Sequence, residues 1–166
     1  MKTNPFLIIA IAGFSLLFSG CMKSDTNPNT NNCIPNTTGI PTAAEMVSLQ
    51  NYLNASGITA TQSLGGFFYI IVAPGSGPTP TASSKVTVKY TGKLTDGTIF
   101  DQKTSPVTFN SLSQLILGWQ YGLPLIQKGG IIKLYLPPTL GYGCSQVGII
   151  PPGSNLIFEI ELVDVQ

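Results

Sequence analysis

The sequence predicts an α+β fold: a curved antiparallel β-sheet wrapped around one short α-helix, preceded by a second short helix. Three observations predict it. Four apolar runs with strand character, Phe67–Val72, Val86–Tyr90, Ile131–Leu136 and Leu156–Leu162, occupy the later part of the chain. Two stretches carry helical signals, one beginning at Thr42 ahead of these runs and one at Gly118–Leu123 among them, and both are short. The 18 Gly and 13 Pro punctuate these runs as turns, which suits strands joined by loops better than a helical bundle.

The chain opens with an address rather than with structure. Lys2 supplies a positive start, Phe6 to Phe18 is an apolar run broken by Gly13 and Ser15, and Ser19-Gly20 are small. This is the anatomy of a secretory signal peptide over residues 1–20, and the run is shorter than the roughly 20 residues a spanning helix needs. Phe18-Ser19-Gly20-Cys21 resembles a bacterial lipobox, with Phe where Leu is more usual. The resemblance implies that Cys21 is lipidated, anchoring the protein in the bacterial cell envelope. The outer membrane facing the periplasm is the first expectation. Lys23-Ser24-Asp25 loosely resembles signals that send some lipoproteins to the cell surface. Residues 21–41 are rich in Asn, Thr, Ser and Pro and read as a flexible tether.

Residues 42–65 form a helix and linker. Thr42 and Glu45 fit a capping box, Met46, Leu49 and Leu53 share one helical face, and Gly57 suits the C-terminal stop. A helix packed on the main domain is the expected role, and a dimerisation arm is the alternative. Strands then begin near Gly66. The Val86–Tyr90 run alternates with period two and precedes the turn dipeptide Asp96-Gly97. Gly118–Leu123 reads as a short helix limited by Pro124, and the final run carries Glu159 and Glu161 on a water-facing side.

Composition narrows the chemistry. Charged residues make up only 9% of the chain, and all 8 basic residues are Lys. Without His, the chain excludes His-based acid–base catalysis, Ser–His–Asp or Cys–His nucleophiles and His-ligated zinc. A net charge of +1 and the lack of Arg leave no electrostatic footprint for nucleic acid. No cofactor or metal is expected.

Five ordered blocks carry a family resemblance. Val86 to Asp101 is similar to the second-strand signature of FKBP-type peptidyl-prolyl isomerases. Ile116-Leu117-Gly118-Trp119 resembles the family's helix start. Leu140-Gly141-Tyr142-Gly143, Gly148–Pro152 and Leu156–Leu162 resemble the remaining blocks, so the match covers about residues 66–166. The resemblance implies an FKBP-like domain there and isomerisation of X–Pro segments in unfolded or folding exported proteins. That reaction rotates an amide over a barrier of about 18–20 kcal/mol. The twisted amide is less polar than the planar one, so an apolar, water-excluding pocket favours it.

By resemblance, Trp119 is the floor on which a proline ring sits. Tyr90, Phe100 and Phe158 are aromatic walls, and Leu115 and Ile116 close one side. The Ile116 N–H and the Tyr142 hydroxyl donate hydrogen bonds to substrate carbonyls, and Asp101 lies at the pocket edge. Val107 stands where an aromatic wall residue is usual, Ile149 and Ile150 overhang the site with Ile149 the nearer lip, and Phe109 belongs to the core. The segment Asp101 to Pro106 is short, Lys103 is its only cation, and Gln146 stands where some members carry His.

With Cys21 assigned to lipid, Cys33 and Cys144 remain, and two Cys in an exported protein suggest a disulfide. Two free thiols are the alternative. The leading expectation is a membrane-anchored prolyl isomerase. The alternatives are a module that binds proline peptides or chaperones clients with weak or no isomerase activity, and a structural lipoprotein that kept the fold.

Overall fold

The computed structural model describes Cys33 and residues 35–166. The signal segment, Cys21 and most of the tether lie outside the described residues.

The first helix, α1 (Ala43–Ala55), starts where the sequence places it. Thr42 accepts from the Glu45 amide while the Glu45 carboxylate accepts from the Thr42 amide, closing a full capping box. Its other end is a Schellman turn. The Ile58 N–H bonds the Leu53 carbonyl and the Gly57 N–H bonds that of Asn54, with Gly57 at φ 64°.

Six strands follow: β1 (Thr61–Gln62), β2 (Phe68–Ala73), β3 (Val86–Leu94), β4 (Ile99–Phe109), β5 (Ile131–Leu136) and β6 (Leu156–Val165). They form one sheet in the order β1-β2-β5-β6-β3-β4, with every neighbouring pair antiparallel. The linker after α1 therefore contributes the edge strand β1, which pairs with β2. The second helix, α2 (Leu117–Gly122), runs into a 3₁₀ turn that contains Pro124.

Alternation along the strands builds a core on each face of the sheet. On one face Val86, Val88, Ile132, Leu134, Leu136, Ile160 and Leu162 are buried with Trp119 and Leu123. On the other, Phe68 and Tyr135 pack with Leu49 and Leu53 of α1. The N-terminal helix thus packs on the main domain, filling the face opposite α2. Phe67 and Phe68 are adjacent and serve the two different cores.

The position of α2 is set by two glycines four residues apart. A Cβ on Gly118 would lie 2.3 Å from a Leu136 methyl, and one on Gly122 would lie 2.6 Å from Leu134. The bare glycine face lets the helix settle against β5, which brings the neighbouring Trp119 down into the core.

The strand β4 was not apparent in the sequence. Most of its residues are exposed and it contains Pro106, so apolar alternation does not mark it. It sits at the sheet edge, where a proline costs the ladder least.

Candidate active site

Cross-strand register places the site. Gly92 of β3 stands between Asp101 of β4 and Phe158 of β6, and Tyr90 lies two residues back on the same face. The ladder steps from Gly92↔Asp101 to Lys93↔Ile99, leaving Phe100 as the extra residue of a β-bulge. The bulge allows consecutive residues to serve one face: Phe100 packs on Phe158 and the core, and Asp101 reaches Tyr90.

Trp119 is the hub of the aromatic cluster. Its ring stands edge-on to Tyr90 at 5.0 Å, to Phe158 at 5.4 Å and to Phe109 at 6.0 Å between centroids. Such edge-to-face pairs contribute about 0.5–1.5 kcal/mol each beyond their buried area. They also fix the indole plane. Trp119 is only 4% exposed, yet it lines a cavity of about 320 Å³ with Tyr90, Asp101, Tyr142 and Phe158. Its Nε1–H is buried without a hydrogen-bond partner among the described residues. A buried orphan donor costs about 1–3 kcal/mol.

The remaining lining residues are Phe109, Gln114, Leu115 and Ile116. The stretch before α2 is pinned from below, because Gln120 Nε2 donates to the Leu115 carbonyl at 2.7 Å and to that of Ser113 at 3.2 Å. Ile116 is the N-cap of α2, and its carbonyl accepts the first helical bonds from Trp119 and Gln120.

The polar edge is acidic and phenolic. The Tyr90 hydroxyl donates to Asp101 Oδ2 at 2.5 Å, and Lys103 Nζ lies 3.7 Å from the other carboxylate oxygen. Burial first, then the hydrogen bond to Asp101 and its charge, push the Tyr90 phenol far above its ordinary pKa. Burial, then the Asp101 charge, raises Tyr142 as well. Both phenols therefore remain protonated donors across neutral pH.

Most of the residues named from the sequence meet here, and four do not line the cavity. Phe100 lies behind Phe158 and supports it, because the bulge turns it toward the core. Val107 pairs with Val88 and packs against the core, its short side chain stopping short of the cavity. The Val147↔Ile150 bridge folds the overhanging loop so that Ile150 turns inward, 4% exposed, while Ile149 points outward at 60%. Ile150 is therefore core, and neither isoleucine touches the cavity. Phe109 corrects the expectation in the other direction, since it packs on the core and also lines the cavity beside Trp119. Strand period was the available signal, for Phe109 follows Val107 by two residues. Gln114 had no sequence signal beyond its place next to Leu115.

Cys33 and Cys144 are joined by a disulfide with Cα atoms 5.4 Å apart. Cys144 stands two residues after Tyr142, so the bond ties down the loop that carries this cavity-lining residue.

Known proteins agree with this geometry. The profile of the FKBP-type peptidyl-prolyl cis-trans isomerase family matches residues 77–163. The chain belongs to that family. It is 43% identical over 122 residues to the FKBP-type peptidyl-prolyl cis-trans isomerase FkpA of Buchnera aphidicola, covering 71% of this chain and 47% of that one. Among solved structures, FkpA from Escherichia coli superimposes with a TM-score of 0.67 at 39% identity, covering 75% of this chain and 60% of that one. A peptidyl-prolyl cis-trans isomerase from Pseudomonas syringae gives a TM-score of 0.65 at 34% identity, covering 76% and 96%. The chain spans about half the length of the curated relatives it matches.

Proposed function

We propose that the protein is a peptidyl-prolyl cis-trans isomerase acting on X–Pro segments of exported proteins. The observation that carries this is the cavity itself: apolar rings meet edge-on at a single indole, with phenol and amide donors at the rim. A proline ring placed on Trp119 leaves water, and its imide loses the solvation that favours the planar form. Tyr142 donates to a substrate carbonyl, and the Ile116 N–H at the start of α2 holds a second one. Asp101 keeps the Tyr90 ring in place through its hydroxyl. Each interaction contributes only so far as it is stronger for the twisted amide than for the planar one.

The second part of the reading concerns place. Cys21 is lipidated and anchors the protein in the cell envelope, at the outer membrane facing the periplasm. The Cys33–Cys144 bond supports this, because such bonds persist in oxidising compartments. Fully extended, the stretch from Cys21 to Cys33 reaches at most about 40 Å, which keeps the cavity close to the membrane.

A protease-coupled assay on a short X–Pro peptide tests the enzyme reading. Wild type is expected to accelerate isomerisation at micromolar protein or below. Tyr142→Phe is expected to lower kcat/KM by roughly tenfold, the effect of one hydrogen bond worth about 1.4 kcal/mol in the transition state. No acceleration by wild type rejects the reading.

A further inference from the structure

We propose that the segment ahead of the family-matched domain is a working part of the site: Glu45, aided by Cys33, positions the loop that carries Tyr142. This rests on the isomerase reading above. Glu45 belongs to α1, on the opposite face of the sheet from Trp119, and its carboxylate does two jobs. One oxygen accepts from the Thr42 amide at 2.7 Å, completing the helix cap. The carboxylate also crosses to Thr139, accepting from its amide at 2.9 Å and from its hydroxyl at 2.7 and 2.9 Å. Burial acts against the charged carboxylate, but the bonds from Thr42 and Thr139 outweigh it and hold its pKa low.

Thr139 lies in the turn that leads from β5 to Tyr142. The adjacent Pro138 carbonyl accepts from the amides of Gly141 and Gly143 at 2.9 and 2.8 Å, the two residues flanking Tyr142. Holding Thr139 therefore holds the carbonyl on which both shoulders of Tyr142 hang. The far side of the loop is fixed by the Cys33–Cys144 bond. A further link joins Asn155 Nδ2 to Ser48 Oγ of α1 at 3.3 Å. Of the side-chain donors that line the cavity, Tyr90 stands on β3 and Trp119 on α2, whereas Tyr142 stands on a loop. Its hydroxyl direction depends on these external grips.

The test is a double-mutant cycle in the full chain between Glu45→Ala and Tyr142→Phe, read as kcat/KM on an X–Pro peptide. The expected result is a loss of about fivefold from Glu45→Ala in wild type and less than twofold once the Tyr142 hydroxyl is gone. Glu45→Gln, which keeps an acceptor toward Thr139, is expected to recover part of the loss. Gly57→Ala, which strains the other end of α1 at positive φ, serves as the control. It is expected to lower thermal stability and leave kcat/KM unchanged. Amide exchange at Gly141 and Gly143 supplies a readout independent of activity and is expected to quicken in Glu45→Ala and in Cys33→Ser. Additive losses in the cycle, or unchanged exchange in both variants, would overturn the positioning role. An inactive wild type, with exchange still quickened in the two variants, would sink the isomerase reading and leave the grip on the loop standing.

Discussion

Replacing Trp119 with Ala is expected to cost about 3–5 kcal/mol of stability, the range for truncating a large buried aromatic. The indole is 4% exposed and touches three other rings, so its removal leaves a void that none of them can fill without leaving the others. Against a total of about 5–15 kcal/mol for a domain, that loss leaves little margin. Urea titration reads it as a fall in the midpoint with the slope unchanged. Because an unfolded variant says nothing of catalysis, Trp119→Phe carries the functional half. It keeps an aromatic floor but shrinks it, and is expected to leave the domain folded while lowering kcat/KM by roughly tenfold, about 1.4 kcal/mol. Wild-type kcat/KM in a folded Trp119→Phe protein would remove the indole from its proposed place beneath the proline.

The second large effect belongs to the disulfide. Cys33 and Cys144 are separated by 111 residues, so the bond closes a loop that takes in α1 and most of the sheet. Chain-entropy arithmetic for a loop of that order gives about 4–5 kcal/mol, and native disulfides typically contribute about 2–5 kcal/mol. Cys33→Ser is expected to lose an amount within that range. Reductant should lower the stability of wild type to the same level and leave Cys33→Ser unaffected. Equal stability of wild type with and without reductant would show that the crosslink adds nothing to the fold. Cys33 also packs beside Gly153, where an added Cβ would stand 3.5 Å from its side chain.

Much of the site was legible because it is built on strands and a helix whose signals are local. Period-two alternation places Tyr90 and Phe158 on strands, and the family resemblance of the blocks that carry them, with Trp119 at the helix start, is what assigns all three to the site. The capping box at Thr42 and Glu45 is likewise a pattern within four residues. What escaped is what depends on register and on distant partners. The edge strand β4 has too few buried positions to alternate visibly, and its bulge at Phe100 changes which side chains face the core. That is why Phe100 moved behind the wall and Phe109 joined it. The reversal of Ile149 and Ile150 comes from a two-bond bridge between Val147 and Ile150, which no spacing rule announces. Glu45 was legible as a cap but not as a partner of Thr139, 94 residues away in the chain.

The chemistry assigned to the cavity needs no proton transfer. The Tyr90 and Tyr142 phenols are both held in their protonated form, and Asp101 is engaged by the Tyr90 hydroxyl. The site is thus arranged to bind and to shield rather than to attack. A module that merely held proline peptides would share most of these contacts, so binding alone does not separate the two.

Exchange spectroscopy by NMR on a short peptide with one X–Pro bond separates them most directly. Uncatalysed, the cis and trans forms interconvert over tens to hundreds of seconds. With a small fraction of an equivalent of the protein, exchange peaks between the two proline forms are expected at mixing times of about a second or less, and Trp119→Phe should weaken them. Peptide that binds in the cavity, shifting the Trp119 and Tyr142 resonances, yet exchanges no faster than in buffer would contradict the account.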